Sequence, residues 1–180
     1  MTDIQSIPVN RIDGSAATLG DYQGKVLLIV NVASKCGLTP QYEGLEAVYR
    51  DKHELGLEVL GFPANNFKEQ EPGTDADIAS FCSLTYDVTF PMFSKISVKG
   101  ADTHPLYKAL TSEKPEAVGT EAFRERLAGA GLASDDHSEV LWNFEKFLVS
   151  RDGRVIGRYS PNMAVSDPLI SADIDKALAG

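Results

Sequence analysis

The sequence contains few residues of the types that build metal sites and disulfide scaffolds. It has two cysteines, three histidines and one tryptophan among 180 residues. The histidines match no metal-ligand spacing, so we expect no metal site at His53, His104 or His137. Two cysteines are too few for a disulfide scaffold, and in a cytosolic chain they are more often reduced or redox-active than permanently bridged. The alternative is that both are small buried hydrophobic residues.

Basic residues and long apolar runs are also scarce. Lys and Arg number 17 against 26 Asp and Glu, a formal net charge of −9, which argues against nucleic acid or an anionic membrane as a partner. The longest apolar stretch, residues 26–33, is too short to cross a bilayer. Residues 1–10 have no basic segment followed by an apolar run, so we expect no secretory signal and a cytoplasmic protein.

Strand patterns alternate with helix patterns along the chain. Residues 25–33 form a continuous apolar, β-branched run, which is typical of a central strand covered on both faces. Further strands are predicted at 57–62 and 92–98, with hairpins within 4–23 and 144–159. Helices are predicted over residues 40–55, 75–84, 105–110 and 167–178. This order indicates an α/β, thioredoxin-like fold in one domain, residues 1–180, with a central mixed β-sheet flanked by helices and an N-terminal β-hairpin. We interpret residues 112–139, with a short helix at 121–127, as an inserted surface loop.

Cys36 lies between the predicted central strand and the helix that follows it. Thr39 is the predicted N-cap of that helix, with Pro40 as its first residue. Cysteines at helix N-termini have pKa values lowered from ~8.5 to roughly 3.5–7.5, so we expect an ionised Cys36 that is open to solvent. Thioredoxins carry a second cysteine three residues further on, where this chain has Thr39. A single thiolate here favours a peroxidase over a dithiol exchanger.

Three motifs carry a specific resemblance to a known family. Asn31–Gly37 (NVASKCG), Leu60–Gly73 (LGFPANNFKEQEPG) and Trp142–Leu148 (WNFEKFL) occur in the order and spacing of the glutathione peroxidases. The similarity extends from about Ile7 to Leu178. The sequence most resembles the bacterial cysteine-containing members, many of which prefer thioredoxin.

The resemblance implies a catalytic tetrad of Cys36, Gln70, Trp142 and Asn143. Amide and indole N–H groups are suitable donors to a sulfur anion and to the oxygen that leaves when the O–O bond breaks. Each residue also has an ordinary structural explanation. Trp142 could be a core anchor, Asn143 a turn cap and Gln70 a loop residue.

The resemblance also assigns a role to Cys82, which stands where two-cysteine members keep their resolving cysteine. We hypothesise an intramolecular disulfide between Cys36 and Cys82. Because bridged Cα atoms lie within about 7 Å, the helix that carries Cys82 should partly unwind during turnover. The alternative is a buried Cys82, with external glutathione resolving Cys36.

Thioredoxin is the expected reductant, because a protein disulfide is its natural substrate. Glutathione would need a basic patch, to which Lys35, Lys68 and Arg158 are candidate contributors. We expect no bound cofactor, and hydrogen peroxide and organic hydroperoxides as substrates. A peroxide sensor or redox relay, and an accessory binding protein on a thioredoxin fold, remain alternative functions.

Overall fold

The computed structural model describes residues 3–180. Residues 1 and 2, which begin the segment where we expect no secretory signal, lie outside that range. The described residues form six strands: β1 (Pro8–Asn10), β2 (Ala16–Thr18), β3 (Val26–Val32), β4 (Leu57–Pro63), β5 (Lys146–Val149) and β6 (Val155–Tyr159). The helices are α1 (Gln41–Lys52), α2 (Asp75–Tyr86), α3 (Pro105–Glu113), α4 (Glu121–Gly129) and α5 (Pro168–Ala179). None of these described helices has the length and apolarity needed to cross a membrane.

The central sheet has the strand order β4-β3-β5-β6. Strand β3 pairs in parallel with β4 and antiparallel with β5, and β5 continues antiparallel into β6. The predicted hairpin at 144–159 is therefore confirmed. A separate antiparallel pair, β1 with β2, forms the predicted N-terminal hairpin.

Both faces of β3 are buried, which explains its unbroken apolar run. Leu27 and Ile29 point into a core shared with α3 and the N-terminal segment. Leu28 and Val30 point to the other face, into a core shared with α1, α2 and α5. The strand is therefore packed on both faces, and Cys36 lies four residues beyond its end.

Residues 92–98 do not form the strand that we predicted. They make isolated bridges, in which Met92 pairs with Gly61, Phe93 with Arg11 and Ile96 with Ala64. The segment runs between β4 and the N-terminal hairpin and bonds to each in turn. Its hydrogen bonds are therefore shared between two partners, and no continuous ladder forms.

The 112–139 segment is also more ordered than the surface loop we predicted. Its first two residues still belong to α3, and its own helix is α4. Phe123 and Leu127 on α4 are buried against Leu141, with Leu38 and Trp142 packed beside them. The insertion therefore has a small apolar core that contacts the region around Cys36.

Candidate active site

A tight turn after β3 holds Cys36. The Cys36 N–H donates to Thr39 Oγ1 at 3.0 Å, and the Thr39 hydroxyl donates to the Ala33 carbonyl at 2.8 Å. The Thr39 N–H in turn donates to the Cys36 carbonyl at 3.1 Å. Thr39 thus closes the nucleophile turn and does not cap the helix as predicted, because α1 begins two residues later, at Gln41.

The Cys36 sulfur accepts a hydrogen bond from a neighbouring backbone amide. The Leu38 N–H points at Sγ from 3.3 Å. Only 9% of Cys36 is exposed, so the prediction of a sulfur open to solvent is wrong. The donor to the sulfur is an amide of the turn that precedes α1, and not the N-terminus of the helix itself.

Gln70 connects the nucleophile turn to Asn143. Its carbonyl accepts from the Lys35 N–H at 3.0 Å. Its side-chain Oε1 accepts from Asn143 Nδ2 at 2.9 Å. This bond orients the Gln70 amide, whose Nε2 carries two further donor hydrogens.

The segment that carries Trp142 and Asn143 is attached to the end of β3. Asn31 Nδ2 donates to the Trp142 carbonyl at 3.1 Å, and the Phe144 N–H donates to the Asn31 carbonyl at 2.6 Å. The half-buried Trp142 ring lies 5.1 Å from the Phe67 ring and contacts the three apolar clusters found within the described residues. The structure therefore brings the four predicted tetrad residues into one framework of hydrogen bonds and packing.

Backbone strain is concentrated next to this framework. Lys68 and Glu69, just before Gln70, have φ values of 54° and 51°, and Phe144, just after Asn143, has φ 70°. Non-glycine residues in the left-handed region cost about 1–2 kcal/mol each. Such strain is maintained only where the surroundings over-determine it, which is common at functional sites.

Cys82 lies inside the core, on α2. Only 2% of it is exposed, and both cysteines are free thiols. Burial raises the pKa of Cys82 to about 11, against an opposing influence from Tyr42 and with a further increase from the charge of Glu71. The thiol is therefore neutral and shielded while α2 is packed.

One of the three candidate contributors to a glutathione-binding basic patch is not available at the surface. Arg158 is buried and pairs with Glu145 at 2.9 Å, so its guanidinium cannot bind glutathione. Lys35 and Lys68 are exposed. No cluster of metal-ligating side chains occurs within residues 3–180.

Three residues near the site were not singled out from the sequence for the roles they have. Leu38 supplies the amide donor, Thr39 closes the turn, and Glu71 places a buried carboxylate behind the turn. Glu71 directly follows Gln70 in the second motif, and this position is the feature of the sequence that could have identified it. The other two roles depend on the turn geometry, which no side-chain pattern reports.

Solved structures share this architecture. The crystal structure of Trgpx in apo form aligns with a TM-score of 0.72 at 37% identity, covering 99% of this chain and 97% of that chain. T. cruzi GPX1 aligns with a TM-score of 0.71 at 32% identity, covering 99% and 98%. A thioredoxin-family thiol:disulfide interchange protein from Chlorobium tepidum TLS aligns with a TM-score of 0.61, covering 98% of this chain and 96% of that chain. At 14% identity it is similar in fold only. The protein has a thioredoxin-like fold with a single cysteine at the turn after its central strand.

Sequence relatives define the family. The glutathione peroxidase family pattern matches residues 4–111. The thioredoxin/glutathione peroxidase BtuE of Escherichia coli (strain K12) is 53% identical over 95% of this chain and 94% of its own. The hydroperoxy fatty acid reductase gpx1 of Synechocystis sp. is 46% identical over 97% and 95%. The chain belongs to the glutathione peroxidase family, as the three motifs predicted, and is an oxidoreductase of the peroxidase class.

Proposed function

We propose that this protein is a thiol peroxidase that reduces hydrogen peroxide and organic hydroperoxides at Cys36. The thiolate attacks one peroxide oxygen, the O–O bond breaks, and the alkoxide or hydroxide leaves and takes up a proton. Cys36 becomes a sulfenic acid. The observation that carries the proposal is the Leu38 N–H, which donates to the Cys36 sulfur at 3.3 Å inside a rigid turn. A backbone donor there stabilises negative charge on sulfur.

Gln70, Trp142 and Asn143 complete the proposed site as neutral donors. The Nε2 hydrogens of Gln70 suit a sulfur anion or a leaving oxygen, because they are pre-oriented by the bond from Asn143. Asn143 is fully buried and acts by fixing the direction of the Gln70 amide. Trp142 contributes its indole N–H and the apolar wall of the site.

Cys82 is the proposed resolving residue. Its thiol and the Cys36 sulfenic acid would condense to a disulfide and one water molecule. Both cysteines belong to the same apolar cluster, but packed α2 keeps Cys82 buried and protonated. Local opening of α2 must therefore precede the reaction.

Thioredoxin is the proposed reductant. A protein disulfide exchanges readily with a dithiol protein, and burial of Arg158 removes one of the three cations considered for a glutathione patch. The relative from Escherichia coli is named for both reductants. Both cysteines are free thiols, which suits the reducing cytoplasm, and we place the activity there.

The test compares the wild type with Cys36→Ser and Cys82→Ser in rapid-mixing and turnover assays. We expect Cys36→Ser to form no sulfenic acid with any peroxide. Cys82→Ser should form it at the normal rate, accumulate it, and lose turnover with thioredoxin, thioredoxin reductase and NADPH. Full turnover of Cys82→Ser with thioredoxin would refute the two-cysteine mechanism. Oxidation of the wild type without sustained turnover with either reductant would indicate a sensor or relay.

A further inference from the structure

A cavity of about 350 Å³ separates the Cys36 turn from α2. Ser34 and Lys35 line it from the turn, and Asp77, Ile78 and Phe81 line it from α2. Glu71 closes it from the loop between β4 and α2. The cavity therefore lies between the segment that carries the nucleophile and the helix that carries Cys82.

Glu71 is an unusual residue to find in such a place. Only 1% of it is exposed, and its Oε2 has no hydrogen-bond partner among the described residues. Its backbone is fixed, because its N–H donates to Asn65 Oδ1 at 2.9 Å. Buried polar atoms are normally hydrogen-bonded, so a carboxylate with an unpartnered oxygen is an exceptional feature at the edge of this cavity.

The electrostatics favour the same conclusion. Burial raises the pKa of Glu71, and this increase exceeds the opposing influence of Ser34 and of two lysines. The titratable and charged groups around the carboxylate come from four elements: Lys35 on the turn, Lys95 before α3, Tyr42 on α1, and Asp77 and Cys82 on α2. The packed state therefore disfavours the ionised carboxylate.

We propose that ionised Glu71 weakens the packing of α2 and so sets how fast Cys82 is released to the Cys36 sulfenic acid. When α2 lifts, water enters the cavity and solvates the carboxylate. Because the packed state raises the pKa of Glu71, ionisation shifts the equilibrium towards the open state. This shift towards the open state is complete at pH values above the pKa that Glu71 has in the packed state. It is lost as the pH falls towards the ordinary pKa of a glutamate side chain. Glu71 is thus a positioning residue for the resolving step, and the inference depends on the proposed role of Cys82.

The chemistry that follows the opening is balanced without another reactant. Exposed Cys82 loses its proton to solvent, and the thiolate attacks the Cys36 sulfur. The S–O bond of the sulfenic acid breaks, and the hydroxide that leaves takes up a proton. The products are the disulfide and water. Glu71 takes no part in the bond changes.

The experiment compares Glu71→Gln with Glu69→Gln, a matched change two residues away at an exposed position. Three rates are measured from pH 5 to 8: sulfenic acid formation, disulfide formation, and amide hydrogen exchange of α2 in the reduced protein. In Glu71→Gln we expect unchanged sulfenic acid formation. Disulfide formation and α2 opening should both slow about tenfold at pH 7, because the amide variant lacks the charge that favours the open state. Glu69→Gln should match the wild type in all three.

The pH dependence separates this role from a merely structural one. Opening of α2 in the wild type, after correction for intrinsic exchange, should decrease towards pH 5, whereas Glu71→Gln should be nearly independent of pH. Glu71→Asp, which keeps the charge, should retain fast opening and guards against a folding defect in the amide variant. Equal or faster α2 opening in Glu71→Gln would overturn the inference. A wild type that forms no disulfide but keeps the Glu71-dependent opening would instead contradict the role of Cys82.

Discussion

Asn143 Nδ2 donates to Gln70 Oε1 across 2.9 Å, and this bond connects the segment before β5 to the loop after β4. The two residues are 73 positions apart in sequence. Asn143 is fully buried, so its amide is protected from water. The bond fixes Gln70 Oε1 towards Asn143 and so sets the orientation of the Gln70 amide.

Asn143→Ala should therefore impair Gln70 as well as itself. We expect the second-order rate of Cys36 oxidation to fall by about 10–100-fold, which is roughly 1.4–2.7 kcal/mol in the barrier. Gln70→Ala should have a similar effect, and the double variant should lose much less than the product of the two. A coupling energy of about 0.5–3 kcal/mol is expected for residues in one network. Asn162→Ala, at an exposed position, is the control and should leave the rate unchanged. Independent effects of the two site variants, or an equal loss of rate in the control, would contradict this arrangement.

The sequence predicted much of this site because its signals are local. The apolar run before Cys36 predicted a strand covered on both faces, and β3 is buried in two cores. Asp152-Gly153 marked a turn, and β5 and β6 are joined there. The family resemblance identified the residues of the predicted tetrad. The fold supplies the hydrogen bonds that link their segments.

The features that the sequence did not predict depend on contacts between distant segments. Residues 92–98 have a strand-like pattern, but their hydrogen bonds are divided between β4 and β1. Arg158 was a candidate for the basic patch, but it is buried and paired with Glu145, which lies just before β5. Neither outcome is encoded within a window of neighbouring residues.

Arg158 should be a structural residue and not part of a reductant site. Its guanidinium donates to Glu145 Oε2 and to the carbonyls of Lys114 and Glu139, near the two ends of the insertion. Arg158→Met leaves a buried carboxylate unpaired, so we expect a loss of about 3–5 kcal/mol in urea unfolding. Arg158→Met with Glu145→Met should recover most of it. An increased KM for glutathione in a fully stable Arg158→Met protein would contradict this assignment.

Helix α4 should hold Trp142 and Leu38 in place. Leu127→Ala removes part of the small apolar core that packs against Trp142 and Leu38. We expect the free energy of unfolding to decrease by about 2–4 kcal/mol. Trp142 is the only tryptophan, so its emission should shift to longer wavelength as water reaches the ring. Cys36 oxidation should slow, because the Leu38 donor is less well fixed. Ile174→Ala, a comparable truncation on α5, should destabilise the protein without either change, and an unshifted spectrum in Leu127→Ala would oppose the idea.

Lys146 should make the stability depend on pH in the neutral range. This lysine is fully buried on β5, and its Nζ donates to the Pro161 carbonyl at 3.0 Å. Burial lowers its pKa to about 7, whereas an unfolded lysine keeps its proton up to about pH 10.4. Between these values the unfolded state binds more protons, so the free energy of unfolding increases with pH.

The free energy of unfolding, measured with urea, should increase by roughly 1.5 kcal/mol from pH 7 to 8.5. Lys146→Met, which has no proton to lose at this position, should show less than half of this increase.

Above about pH 8.5 the effect of Cys82 has the opposite sign. Its pKa is raised to about 11 in the folded protein, so the thiol ionises first in the unfolded state and the free energy of unfolding decreases. The wild-type profile should therefore level off near pH 9, and Cys82→Ser should continue to rise. Parallel wild-type and Lys146→Met profiles between pH 7 and 8.5 would show that Lys146 does not titrate there.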